Sequence, residues 1–339
     1  MKNLERAIWM AAGTLLIAAA ATVFAQGGNL DGQGRAVVTV LPGKHSEMAP
    51  NISLQDLSIK INGKSSSVTR WLPLRGSDDK LELVVLIDSA ARNLSGSLLG
   101  DIAKFIESMS PDTRVAVGYM ENGRAVLAGP LSADHAQAAR GLHLTQGPSN
   151  GPFFCLSDLA KNWPSAARGV RREVLLVSGG VDPFNRSYDP DDPYVQAAVA
   201  DSVRAGLVVY SIYWRSGSSA SGFSAQSPGA NGASMGPSRG GNGGSDSFTQ
   251  IVDGASLLAS LSEATGGKSY WFGSDNPVSF QNYLEDLALR LKNQYELGFS
   301  ARLNGKHAIE NLKLKAKVFA AEVDAPEQVL VDPAAPAEK

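Results

Sequence analysis

Leu81-Glu82-Leu83-Val84-Val85-Leu86-Ile87-Asp88 is the stretch whose reading decides the fold. A short run so rich in Val, Leu and Ile is expected to form a strand buried on both faces. It ends on an acid, Asp88, and small residues follow. Beyond them Leu98, Ile102, Phe105, Ile106 and Met109 recur at helical spacing and predict an amphipathic helix. Strand, acidic turn and helix make the first unit of an open α/β sheet. Ligands of such sheets sit at the carboxyl ends of the strands, which is where Asp88 is expected to stand.

Outward from this unit the alternation continues. Arg114–Met120 and Arg124–Ala128 flank Glu121-Asn122-Gly123 and predict two strands joined by a tight turn. A helix is expected over Ser132–Leu142 with Ser132 as its cap, and another over Phe153–Arg168. Glu173–Val177 reads as a buried strand that runs into Ser178-Gly179-Gly180. Asp192-Pro193 opens a helix that Gly206 stops, and Leu207–Trp214 is the next strand. After a helix ending at Gly266-Gly267, Lys268–Phe272 is expected as a strand and Asn276-Pro277 as the start of a last helix.

The segment 215–247 interrupts this pattern. Nineteen of its 33 residues are Gly or Ser, which predicts a disordered loop, either a surface insertion or a lid. Before the α/β region, Leu57, Ile59 and Ile61 alternate with Ser58 and Lys60 up to Asn62-Gly63, a hairpin signal. Residues 35–75 are therefore expected to form a small β unit. After it come an alternating strand–helix region over 80–292 and a C-terminal β extension over 293–331. In that extension Leu312, Leu314, Ala316 and Val318 alternate with Lys313, Lys315 and Lys317.

The 339 residues carry 43% hydrophobic and 19% charged side chains and a net charge of −2, so a sizeable core is available. No clustered Lys/Arg face is evident along the chain, and nucleic acid is not expected as a partner. Lys2 and Arg6 precede an uncharged stretch from Ala7 to Ala25, and Val23-Phe24-Ala25 supplies small residues at a cleavage site. This predicts a signal peptide over 1–25 and a periplasmic or extracellular protein. The alternative is an uncleaved membrane anchor, the one case in which a membrane is expected as a partner. The single cysteine, Cys155, excludes an internal disulfide and reads as a small buried apolar residue. The four histidines lack ligand spacing. There is no G-x-S-x-G elbow, Walker A loop or dinucleotide fingerprint.

The order of elements from Leu81 to Leu291 resembles a von Willebrand factor type A domain, and more specifically the von Willebrand factor A-related proteins that bacteria export. Three places carry the resemblance: Asp56-Leu57 through Asn62-Gly63-Lys64, the central Val84–Asn93, and a closing pair of signatures. These last are Ala264-Thr265-Gly266-Gly267-Lys268 and Gln294-Tyr295-Glu296-Leu297-Gly298-Phe299. The resemblance implies a doubly wound, mostly parallel α/β sheet with helices on both faces, beside the small N-terminal β unit and the C-terminal strands.

The resemblance also implies a metal-ion-dependent adhesion site made of an Asp and two Ser in D-x-S-x-S, a Thr from a middle loop and a later Asp. Only Asp88 stands in register. Ala90 and Arg92 occupy the Ser positions, and Ser89 is out of phase. Pro152–Cys155 offers no hydroxyl, and Gly179-Gly180 replaces the later Asp-Gly, with Asp182 displaced. Mg²⁺ wants six hard oxygens. A degenerate site follows, with Asp88 as the candidate ligand; no resident cofactor is expected, and Mg²⁺ at Asp88 is the alternative. The expected function is a non-enzymatic adhesion or protein-binding module that takes a protein partner on Asp88, Ser89, Arg92, Phe153, Phe154, Ser178 and Asp182, with Phe184 as a further aromatic. The alternatives are a metal-dependent hydrolase using Asp88 and Asp182, and an assembly subunit tethered by the Gly/Ser segment.

Overall fold

Two kinds of hydrophobic pattern build two different sheets. A computed structural model describes residues 32–43, 49–76, 80–91, 94–145, 147, 151–180, 182, 185, 189–215, 243–273, 275–303, 307–318 and 321–334. The signal-peptide expectation over 1–25, most of the Gly/Ser segment, Arg92 and Phe184 lie outside the described residues.

Alternating segments from both ends of the chain form the first sheet. They are β1 (Gly32–Pro42), β2 (Leu57–Ile61), β3 (Lys64–Pro73), β10 (Gln294–Ala301), β11 (Ala308–Ala316), β12 (Ala321–Asp324) and β13 (Gln328–Pro333). Six of them run in the order β10-β3-β2-β11-β13-β1 and close through β10–β1, every pair antiparallel. β12 adds to β1 outside the ring. Asn62 and Gly63 take positive φ and let β2 turn directly into β3. The inward residues Val38, Val40, Ile59, Ile61, Leu297, Phe299, Leu312 and Val331 fill the barrel.

Continuous apolar runs form the second sheet. It contains β4 (Leu81–Asp88), β5 (Thr113–Glu121), β6 (Arg124–Leu127), β7 (Arg171–Ser178), β8 (Leu207–Tyr213) and β9 (Ser269–Tyr270), in the order β6-β5-β4-β7-β8-β9. β6 is antiparallel to β5 and the other pairs are parallel. All eight residues of β4 are buried, as a strand packed on both faces requires.

Leu83, Val85 and Ile87 share a core with α1 (Gly96–Glu107) and α6 (Gln281–Lys292). Val84 and Leu86 share another with α3 (Pro152–Lys161), α4 (Pro193–Ala205) and α5 (Gly243–Thr265). α2 (His135–Ala139) is a short helix beside β5.

The fold class expected from the sequence, a doubly wound parallel α/β sheet with a small β unit and extra strands, is therefore corrected. The chain is a closed six-stranded antiparallel barrel joined to a mixed sheet. The segments treated as appendages at the two ends pair with each other across more than 200 residues, Gly32 with Ala301 and Leu57 with Ala316. Local periodicity carries no record of that pairing. Some element bounds also move. Asp134 rather than Ser132 caps α2, α3 ends at Lys161, and β9 stops at Tyr270 before Trp271 and Phe272.

The two closing signatures have physical roles at the joint. Gln294 is buried at the start of β10, where its Nε2 donates to Tyr210 Oη at 3.0 Å and its Oε1 accepts from Arg171. Tyr295 stacks on Trp71 with ring centroids 4.6 Å apart. Gly298 sits at a β-bulge, where an added Cβ would lie 2.8 Å from Arg70 Cβ. In the other signature, Thr265 Oγ1 accepts from Val209 N at 3.0 Å, and Gly267 lies so close to β8 that an added Cβ would meet Val209 O at 2.0 Å.

Candidate functional site

Parallel strands place their carboxyl ends together, and the helices that follow them return from the opposite end. The edge beyond Asp88, Ser178, Tyr213 and Tyr270 therefore also holds the N-termini of α1, α3, α4 and α6. The Asp88 carboxylate is 4% exposed. Its Oδ1 accepts from Ala90 N at 2.9 Å and its Oδ2 from Ser178 Oγ at 2.9 Å. Ser178 is fully buried, and its Oγ also accepts from Gly180 N at 3.2 Å. Ser89 turns the other way and donates to Met120 O, and its own carbonyl accepts from Gly147 N at 3.1 Å. Its opposite direction from Asp88 is what alternation in an extended segment predicts.

Asp182 is 3% exposed and lies against Gly151, the N-cap of α3. Gly151 has φ +68°, and an added Cβ would come within 2.9 Å of Asp182 Oδ2. A carboxylate at a helix N-terminus is favoured by the helix dipole and by the amides that point outward there. Cys155 lies one turn into α3 and is fully buried. Burial first, then the carboxylates of Asp88, Asp158 and Asp182, push its thiol up to about 12. It stays neutral, so it supplies neither a thiolate nucleophile nor a thiolate metal ligand.

The sequence-derived residues thus converge, but below the surface. Asp88 and Ser178 share a hydrogen bond, and Asp182 meets the start of α3. Phe153 is 0% exposed and belongs to the core shared by α3, α4 and α5, so it is no surface anchor. Phe154 is half-buried and packs on Tyr194, whose ring centroid is 4.2 Å away.

The surface of this edge is made by residues that pattern reading missed. Of the eight exposed large hydrophobic residues among the described ones, Leu144, Tyr194, Trp271, Phe272 and Val278 lie in its loops or at the helix N-termini, and Leu54, Val126 and Leu289 lie elsewhere. Phe272 is 66% exposed and Val278 95%. Trp271 packs edge-on against Tyr213, with centroids 6.4 Å apart. The signal available was the adjacent pair Trp271-Phe272. The pair follows directly on β9, the sheet's edge strand, and both rings are exposed.

The donor set does not fit Mg²⁺. Both Asp88 oxygens accept hydrogen bonds from the protein, and Ala90 offers only its amide where a hydroxyl would be needed. Gly179 brings no carboxylate, and α5 fills the space beside it: a Cβ on Gly254 would lie 2.4 Å from Gly179 O. Among the described residues no group of three His, Cys, Asp or Glu side chains is placed to hold a metal.

No family model matches the chain, and no curated protein matches it in sequence. Solved structures do resemble it. One is an aerotolerance-related membrane protein from Bacteroides fragilis, 13% identical, with 62% of this chain and 98% of that chain covered and a TM-score of 0.37. A second is the manganese-loaded TRAP protein of Plasmodium vivax, 12% identical, with coverage of 74% and 94% and a TM-score of 0.38. A third is the vWF domain of the type V pili tip protein Mfa5 from Porphyromonas gingivalis, 18% identical, with coverage of 35% and 50% and a TM-score of 0.25. The chain thus spans half of that last structure. Function is not carried by fold and rests on the site.

Proposed function

We propose that this is an exported, non-enzymatic protein-binding module of the adhesion or assembly type, and that its contact face is the carboxyl edge of the mixed sheet. The observation that carries the proposal is the gathering of Leu144, Tyr194, Trp271, Phe272 and Val278 on that one edge. Exposed aromatic and aliphatic side chains collected on one rim are the usual anchors of a protein interface. The buried carboxylate of Asp88 ties Ala90 and Ser178 together beneath the rim, and Asp182 is packed against the start of α3. Contact is then made by the apolar rim and Phe154, over a preorganised polar floor and without a bridging metal.

A photo-crosslinking residue placed at Phe272 in the producing cell tests this, with the same probe at exposed Val126, on the outer strand β6, as control. One discrete protein adduct at position 272, lost in Trp271→Ser and absent from position 126, is the expected result. Absence of an adduct at 272, or equal adducts at both positions, would overturn the assignment of the face.

A further inference from the structure

We propose that the outer face of the barrel over β2 and β11 docks on an anionic lipid bilayer. In the antiparallel register of these strands Lys313 stands directly opposite Lys60. Lys315 and Lys317 follow at alternate positions, and all four lysines are exposed. Successive outward residues of a strand are about 7 Å apart and neighbouring strands about 5 Å apart, so the four ammonium groups crowd one small area. The residues beside them in register are Ser65, opposite Lys60, and Ser58, opposite Lys315; an acid, Asp56, stands only at the end of the row, where its carbonyl accepts from Lys317 N at 2.8 Å and its carboxylate accepts from Ser53 N at 3.1 Å. Among the described residues none of the four lysines enters an ion pair.

This basic face is not visible along the sequence, where no Lys/Arg cluster stands out. Lys60 and Lys313 are 253 positions apart, and only barrel closure brings them together. Like charges directly opposite each other destabilise a strand pair. The arrangement therefore works against the fold unless an anion sits over it.

The chemistry selects the kind of anion. The face holds lysine and serine with Asp56 at one end, and it has no arginine fork for a fixed carboxylate or phosphate and no aromatic ring on which a base would stack. It is an open sheet surface rather than a cleft. Flexible point charges on an open face suit a fluid array of headgroup phosphates better than one shaped ligand. The chain as a whole carries −2, so general charge does not draw it to an anionic surface, and docking is oriented by this face.

The test is sedimentation of the full chain with two kinds of vesicle. One is phosphatidylcholine alone, and the other is equal parts phosphatidylcholine and phosphatidylglycerol. Lys2 and Arg6 flank the uncharged residues 7–25 and favour the mixed vesicles themselves, so the loss of binding from wild type to the lysine variants on the mixed vesicles is what isolates the lysine face. Wild type should prefer the mixed vesicles, with the preference falling roughly fivefold for each lysine replaced by glutamine and weakening with added salt. Lys60→Gln also removes the opposed pair, so its melting temperature should hold or rise, which separates lost binding from lost fold. Equal binding of wild type and the fourfold variant K60Q/K313Q/K315Q/K317Q to mixed vesicles would overturn the proposal. So would capture of the chain by a polyanion such as heparin with no preference between the vesicles.

Discussion

Arg290 on α6 donates its Nη1 to Asp324 Oδ2 of β12 at 2.6 Å, and this bond crosses from the mixed sheet to the barrel. The guanidinium is 2% exposed and also donates its Nε to Asp286 at 2.8 Å. The Asp286 Oδ2 accepts in addition from Lys268 and from the Tyr270 hydroxyl. A buried cation is thus shared by carboxylates from both units. Arg290→Ala should destabilise the chain by about 3 kcal/mol, because it leaves acids facing each other in a partly dry joint. Urea unfolding checks this; a loss below ~1 kcal/mol would mean that apolar packing alone holds the units together.

The same joint sets an acid limit. Burial alone would raise the Asp286 carboxyl, but hydrogen bonds from Arg290, Tyr270 and Lys268 outweigh it and hold the group below the usual carboxylate range. A folded-state pKa below the unfolded one stabilises the fold above the ordinary carboxylate pKa. That stability is lost as pH falls through the depressed value. Thermal unfolding should therefore weaken from about pH 4 downward, and Asp286→Asn should flatten that fall. An identical pH profile in the variant would remove Asp286 from the account.

Glycines at this fold's closest approaches should tolerate no side chain. Gly254→Ala would drive a methyl to within 2.4 Å of Gly179 O, and Gly267→Ala to within 2.0 Å of Val209 O. Each should cost about 1–3 kcal/mol through forced backbone shifts. Gly100, inside α1 with nothing within 4 Å of an added Cβ, is the opposite case. Gly100→Ala should gain about 0.5–1 kcal/mol from helix propensity. The contrast in melting temperature among the three variants is the measurement, and a uniform response would contradict the packing described.

A metal titration separates the two readings of Asp88. Its carboxylate ties Ala90 N and Ser178 Oγ together. Mg²⁺ or Mn²⁺ should then leave the melting temperature unchanged, while Asp88→Ala should cost roughly 1–3 kcal/mol by stranding two buried donors. A metal-dependent rise in wild type that disappears in Asp88→Ala would establish a cation site and restore metal-bridged adhesion.

What was legible in the sequence follows from the range of each signal. Val84–Asp88 announced a buried strand because burial on both faces leaves no polar position, and Asn62-Gly63 announced a hairpin because both residues accept positive φ. Asp88, Ser178 and Asp182 were placed at one edge by counting strands and helices. Barrel closure was not legible, because Gly32 and Ala301 meet through a pairing that neither segment encodes alone. Burial of Phe153 beside half-buried Phe154 depends on the helical phase of α3, which starts only at Pro152. The Lys60–Lys313 juxtaposition was hidden for the same reason as the barrel.

Cys155 gives a test of the polar floor that needs no partner. Its thiol is fully buried and pushed up to about 12, with three carboxylates raising it beyond burial alone. At pH 8 only about one thiol in ten thousand is then ionised, and thiolate is the reacting species. A chromogenic disulfide reagent should therefore label the native chain only as fast as the fold opens. Raising the pH from 7 to 8 should leave that rate unchanged while opening is limiting, and urea should accelerate it steeply. Prompt labelling of native protein at pH 8 would show an accessible, activated thiol. It would put Asp88, Asp182 and Cys155 back among the candidates for chemistry, rather than among the residues that hold the contact face in shape.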